Sequence, residues 1–166
     1  MPHQIVKPVV DLNVRKLCSE SYYNHPKGCP NFGKPRCPPK CRTIGEIIDL
    51  NKLVFAVWNI FDFSQHCAKM RTKHPNWSLR QVECCLYWQP TARKQLKHNI
   101  TRFKMRHNYS HWIIVGLNDK LGNPEGSGVN VTATMASIGH NLEWPPETKT
   151  YQVALAGFPI VLGGTK

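Results

Sequence analysis

Residues 53–61, LVFAVWNIF, are apolar at almost every position and rich in β-branched and aromatic side chains. A strand covered on both faces has that pattern. Two shorter runs, HWIIVG at 111–116 and YQVALA at 151–156, read as further strands. In residues 1–17, valines and an isoleucine lie between prolines, which predicts an extended arm or an edge strand.

Between the strands the pattern turns helical. FSQHCAKMRTK (63–73) predicts a helix opened by Ser64 and ended by His74-Pro75. Ser78 with Gln81 forms a capping pattern, and a long helical stretch follows to about Arg106. Leu79, Val82 and Leu86 share one face of it, and Leu96, Ile100 and Phe103 share another. Pro90 lies between the two, predicting a kink or a restart at Thr91. Thr43 with Glu46 is a capping box that opens a short helix carrying Ile47, Ile48 and Leu50. NVTATMASIG (130–139) reads as a helix of small residues ended by Gly139.

Helices between consecutive strands predict an α/β fold, with a small, largely parallel or mixed sheet. An α+β ferredoxin-like arrangement is the competitor. The 166 residues form a single domain, large enough for a core without disulfide staples. Its α/β core spans 43–157, preceded by a cysteine- and proline-rich loop at 18–41. No internal repeat is visible.

That loop, CSESYYNHPKGCPNFGKPRCPPKC, changes the picture. Cys18, Cys29, Cys37 and Cys41 are spaced C-x10-C-x7-C-x3-C among five prolines and two glycines. Proline at this density excludes regular helix or strand. A stiff loop holds thiolates in place before a metal arrives, so less ordering entropy is lost on binding. Zinc sites usually show C-x2-C knuckles, and none is present. Cys29 and Cys37 each precede a proline, as does the last cysteine of bacterial ferredoxin runs, so the spacing leans toward an iron–sulfur cluster. Two disulfides, or reduced thiols without a cofactor, are the other readings. The total of seven cysteines is odd and no signal peptide is visible, which argues against disulfides.

The segment HPKGCPNFGKPRCPP resembles the cysteine motif of an uncharacterised family of predicted metal-binding proteins, in which C-P-x-[YF]-G-K precedes C-P-P. GVNVTATMASIGHNLEW (128–144) is similar to that family's C-terminal segment, G-[VI]-[DN]-V-x-x-T followed by a glycine and a tryptophan. The resemblance implies metal ligands at Cys29 and Cys37, with Cys18 upstream. Cys41 joins them on spacing. Three thiolates would leave one iron of a 4Fe–4S cluster open to substrate, whereas four would close it. The resemblance implies metal binding and no particular reaction.

Charge narrows the partners. The chain carries 22 Lys and Arg against 10 Asp and Glu, a net charge of +12. Such an excess costs self-repulsion and is commonly matched by a polyanion, above all nucleic acid. Arg93, Lys94, Lys97, Arg102, Lys104 and Arg106 fall in one acid-free helical segment, TARKQLKHNITRFKMRH. They form a candidate nucleic-acid-binding stripe, or a solvated helix face. Trp77, Tyr87 and Trp88 would stack on bases if exposed, and otherwise belong to the core. Lys27, Lys34, Arg36, Lys40 and Arg42 surround the cysteines, offsetting thiolate charge or attracting phosphate. No apolar run reaches the ~20 residues of a membrane span, and with no targeting segment visible the expected location is the cytoplasm.

The remaining chemistry is sparse. Cys67, Cys84 and Cys85 read as small hydrophobes, and His25 as a turn residue, a ligand or a donor to a ligand. Glu143, Asp49 and Asp62 are the acids placed to act as a base, with no spacing that ties them together. P-loop, dinucleotide-binding, zincin and serine-hydrolase motifs are absent. The expected function is a cytoplasmic metal-binding protein carrying a 4Fe–4S cluster, with a basic surface for RNA or a nucleotide and redox or sulfur chemistry on it. The alternatives are a zinc-stapled, non-enzymatic nucleic-acid-binding module and an electron-transfer protein serving a protein partner. Whether the protein is an enzyme is left open by the sequence.

Overall fold

The computed structural model describes residues 2–21, 26–107, 111–117 and 121–160. Its axis is strand β2 (Val54–Asp62), one residue displaced from the apolar run that predicts it. Side chains alternate across a strand. Val54, Ala56 and Trp58 therefore enter one core, and Phe55 and Val57 enter a second on the opposite face.

Strand β4 (Lys149–Gly157) pairs with β2 along its whole length, from Val54 opposite Gly157 to Asp62 opposite Lys149. Strand β1 (His3–Ile5) pairs with the other edge of β2, and β3 (Ile113–Val115) with the far edge of β4. The sheet order is β1-β2-β4-β3. All three pairings are antiparallel, which overturns the expected largely parallel or mixed sheet. The apolar run of β2 reflects cover on both faces, and here that cover lies on an antiparallel sheet. Long helical connections permit parallel pairing without enforcing it. The chain enters β4 beside the end of β2, where the Ser64 amide donates to Thr148 O at 3.0 Å. That entry point makes β4 run back along β2. The element order is β-β-α-α-α-β-α-β, unlike the β-α-β-β-α-β of a ferredoxin-like unit. The molecule is a single mixed α/β domain.

Helix α1 (Phe63–Lys73) follows β2 directly, and its cap is Asp62, whose carboxylate accepts from the Gln65 amide, in place of the expected Ser64. The Ser78–Gln81 capping box forms as read, but its helix α2 (Leu79–Val82) is one turn long. The break falls at residues 83–84, and α3 (Cys85–His107) then runs through Pro90 without restarting. Proline deprives Leu86 O of a helical donor. Leu86 is 76% exposed, so water takes that place at small cost. The exposure of Leu79 and Leu86 overturns the shared apolar face with Val82, which alone is buried. The second face is as read: Leu96, Ile100 and Phe103 pack on Phe55, Val57 and Ala154.

Helix α4 (Val131–Ala136) is capped by Asn130 and buries Val131 and Met135 in the first core with Ile44, Ile48 and Val129. The sheet thus separates two layers. Helix α3 covers one face, and the segments that flank the cysteine loop cover the other.

Candidate metal centre

Residues 12–18 wind into a 3₁₀ helix that the sequence did not announce, capped by Asp11, whose carboxylate accepts from the Asn13 amide. Its last residue is Cys18. The Cys29 amide donates to Cys18 O at 2.9 Å, which brings the second cysteine back beside the first. Gly28 makes this return feasible. Its φ of +75° suits glycine, and a Cβ there would lie 2.9 Å from Ser19 O. Successive turns then carry the chain on: Phe32 N to Cys29 O, Cys37 N to Lys34 O, and Cys41 N to Cys37 O, all between 3.0 and 3.1 Å.

Segment 122–129 clamps the loop from outside. The Cys41 thiol donates to Gly126 O at 3.0 Å, and a Cβ on Gly122 would stand 2.7 Å from Arg36 O. The Ile44 amide donates to Ser127 O, and that of Asp11 to Gly128 O. Arg15 completes the clamp: its Nη2 donates to Cys41 O at 2.7 Å and to Pro39 O at 3.1 Å. The cysteine loop is therefore in contact with residues 122–127, which immediately precede the second resembling patch in the chain. Neither Arg15 nor the clamp was legible as a partner of the cysteines. The glycines of 122–128 were the available signal.

All four loop cysteines are half-buried free thiols. The Cys18 thiol is pushed up to about 11, first by burial and then by repulsion from Cys29, Cys37, the Glu125 carboxylate and Cys41. Cys37 is raised in the same way by burial, Cys29 and Cys41, with Lys34 opposing. The four sulfurs thus lie within electrostatic reach of one another. Among the described residues, however, no group of three or more His, Cys, Asp and Glu side chains is arranged to hold a metal ion. The donor set fits a thiophilic metal or cluster in kind, and the sulfurs have not closed to a ligand sphere. His25 lies outside the described residues.

No protein-family model, curated protein or solved structure matches the chain. The site rests on its own geometry.

The other sequence candidates separate cleanly. Arg93, Lys94, Lys97, Arg102, Lys104 and Arg106 are all exposed along α3, on the sheet face opposite to the cysteine layer. The cations of the loop, Lys27, Lys34, Arg36, Lys40 and Arg42, are exposed on the cysteine side. Trp88 is core, packed on Phe63 and Ala92. Trp77 stacks on His74 at 3.9 Å and meets the half-exposed Tyr87 ring at 5.0 Å, making a short aromatic ledge. Cys67 and Cys85 pack against the Phe63–Trp88 cluster, and burial raises both thiols.

The acids are engaged as caps. Asp62 caps α1, and the Asp49 carboxylate accepts from the Asn51 amide. Glu143 accepts from the amides of Glu147, Thr148 and Lys149 and from the Thr148 hydroxyl, which hold its carboxyl down to about 2. A carboxylate so fully bonded is a poor proton acceptor. Among the described helices, none is long and apolar enough to cross a membrane.

Proposed function

We propose that this is a metal-binding protein that holds an iron–sulfur cluster of the 4Fe–4S type at Cys18, Cys29 and Cys37, with Cys41 at the edge of the site. The supporting observation is the gathering of four reduced, half-buried thiols on a loop clamped by Arg15 and segment 122–129. Burial and repulsion from neighbouring cysteines disfavour the thiolates of Cys18 and Cys37, and a bound cation would reverse that sign. Metal binding releases the thiol protons and draws the sulfurs together, so closure of the ligand sphere and loading are one event. Cys41 donates its proton to Gly126 O, an engagement that a thiolate ligand would have to give up. When bound, a cluster with three protein thiolates supplies electron transfer or an iron open to a ligand.

The basic surface supports an anionic partner, RNA or a nucleotide. Loop cations surround the thiols, and the α3 stripe offers a second charged surface across the sheet. Glu125 is the acid within electrostatic reach of Cys18, and nothing beside it points to a particular substrate, so no reaction is assigned.

The test is an absorption spectrum with iron, sulfide and zinc analysis on protein purified without oxygen. About four irons and four sulfides per chain, with absorbance near 400 nm, would support the cluster. One zinc and no iron would replace it with a closed structural site.

A further inference from the structure

Between α3 and the edge of β2 lies a cleft of about 610 Å³, lined by Asn59, Ile60, Lys94, Gln95, His98 and Asn99 among others. Its volume falls within the range of small-ligand sites, about 300–1,000 Å³. The β1 pairing stops at Val57, and the Trp58 amide bonds Pro2 O, so the next residues of β2 border the cleft. Asn99 donates through Nδ2 to Trp58 O at 2.9 Å and finishes that edge.

Asn59 is the unusual residue. It interrupts an apolar strand, is only 4% exposed, and its Oδ1 is buried with no hydrogen-bond partner. Its Nδ2 donates to Gln95 Oε1 at 3.3 Å. Directly across the sheet, Gln152 Oε1 is buried without a partner as well. Buried polar atoms are almost always satisfied, and an orphan acceptor facing a cleft points to a donor that arrives from outside. Gln95 spends its oxygen on Asn59, which leaves its Nε2 as a donor on the same amide pair as the orphan acceptor. An acceptor next to a donor complements an exocyclic amine next to a ring nitrogen, the pattern that amide side chains read on adenine. Lys94 with His98 places positive or donor groups at the rim.

We propose that this cleft binds a nucleotide by its base, with Asn59 Oδ1 accepting from an exocyclic amine, Gln95 Nε2 donating to the adjacent ring nitrogen, and Lys94 meeting the phosphate. It rests on the nucleic-acid reading of the α3 stripe, to which Lys94 belongs, and makes a single-stranded segment with one extruded base the natural ligand. The class is adenine or cytosine rather than uracil, whose ring presents a carbonyl where the amine is needed.

The test is titration of the full chain with AMP, CMP and UMP, followed by backbone amide chemical shifts. AMP or CMP should move the amides around Asn59 and Gln95, and UMP should bind roughly tenfold or more weakly. Gln95→Ala should weaken AMP binding about tenfold; because it also leaves the buried Asn59 Nδ2 without its acceptor, its melting temperature should fall and binding is measured well below that transition. Asn59→Leu should abolish binding while folding at least as stably; if it does not fold, Gln95→Ala decides. Equal binding of UMP and AMP, wild-type affinity in Gln95→Ala, or no shift with any nucleotide would overturn the site and leave a cleft of water. An RNA oligonucleotide serves as the separate arm. If it binds through Lys104 and Arg106 while no mononucleotide enters the cleft, the stripe stands and this site falls. If mononucleotides bind and the oligonucleotide does not, the reverse holds.

Discussion

The thiol of Cys41 and the carbonyl oxygen of Gly126 are hydrogen-bonded at 3.0 Å, joining the end of the cysteine loop to the glycine-rich segment before α4. A Cβ at position 126 would make only ordinary contacts, 3.8 Å from that sulfur and 3.5 Å from Pro38 Cδ, so the tether uses the backbone carbonyl and does not depend on glycine.

On the function proposed above, Cys41 would tether the loop rather than complete the ligand set. Cys41→Ser retains a donor for Gly126 O and should retain its iron, whereas Cys29→Ser and Cys37→Ser should lose it. Iron and sulfide content of the three variants, purified without oxygen, checks this. Loss of metal in Cys41→Ser would instead make Cys41 the fourth ligand.

Arg15 acts on the same clamp from the other side. Arg15→Ala leaves the carbonyls of Cys41 and Pro39 without this donor and should cost roughly 1–3 kcal/mol of stability, read by denaturant unfolding of the metal-free protein. An unchanged midpoint would mean that water replaces the guanidinium without loss.

Glu143 gives a pH signature. Its carboxyl is held down to about 2 by the Thr148 hydroxyl and the Thr148, Glu147 and Lys149 amides, against an ordinary value of 4.5. A depressed carboxyl stabilises the fold above its unfolded value and loses that contribution as pH falls through the folded one. The melting-temperature gap between wild type and Glu143→Gln should thus be full above about pH 5 and should close toward about pH 2. A gap independent of pH would show that the charge plays no part.

Two glycines separate backbone strain from crowding. Gly116 has φ +144°, and a Cβ there would fall 2.5 Å from Ala154 Cα in the neighbouring strand. Gly139, with φ +84°, faces open space. Gly139→Ala should cost about 1–2 kcal/mol from the left-handed conformation alone. Gly116→Ala should cost more, adding overpacking of roughly 1–3 kcal/mol. Denaturant unfolding of the two variants makes the comparison, and equal losses would mean that β3 and β4 part easily.

Removing cations from α3 should show in the salt dependence of RNA binding. Lys104→Ala with Arg106→Ala should reduce the slope of log affinity for single-stranded RNA against log salt by about 0.7 for each phosphate no longer neutralised. An unchanged slope would remove those side chains from the interface and leave the stripe as a solvated face.

Much of this molecule is legible in the sequence where a local pattern has one physical cause. The run around Val57, the Ser78–Gln81 box, and the Leu96–Ile100–Phe103 face were all readable in that way. Strand direction was not, because burial of β2 on both faces is the same signal in parallel and antiparallel sheets. The cysteines announced themselves, but the clamp from Arg15 and Gly126 joins residues distant in the chain. Asn59 carried a visible hint, one amide inside LVFAVWNIF. Its meaning depended on Gln95 and on the early end of β1, which no spacing reveals.

The pairing of β2 with β4 also governs how the chain reaches its fold. Val54 waits for Gly157 and Asp62 for Lys149, while helices and the third strand lie between them. Contacts of such long sequence separation slow folding, since the intervening loop must close before they form. During synthesis the VFAVWNIF stretch emerges long before its partner, with strong β propensity and no charge to discourage self-association. Helix α3 can shelter one side of it early; the open edge stays exposed until β4 arrives, making this strand the segment most dependent on chaperone protection or rapid completion.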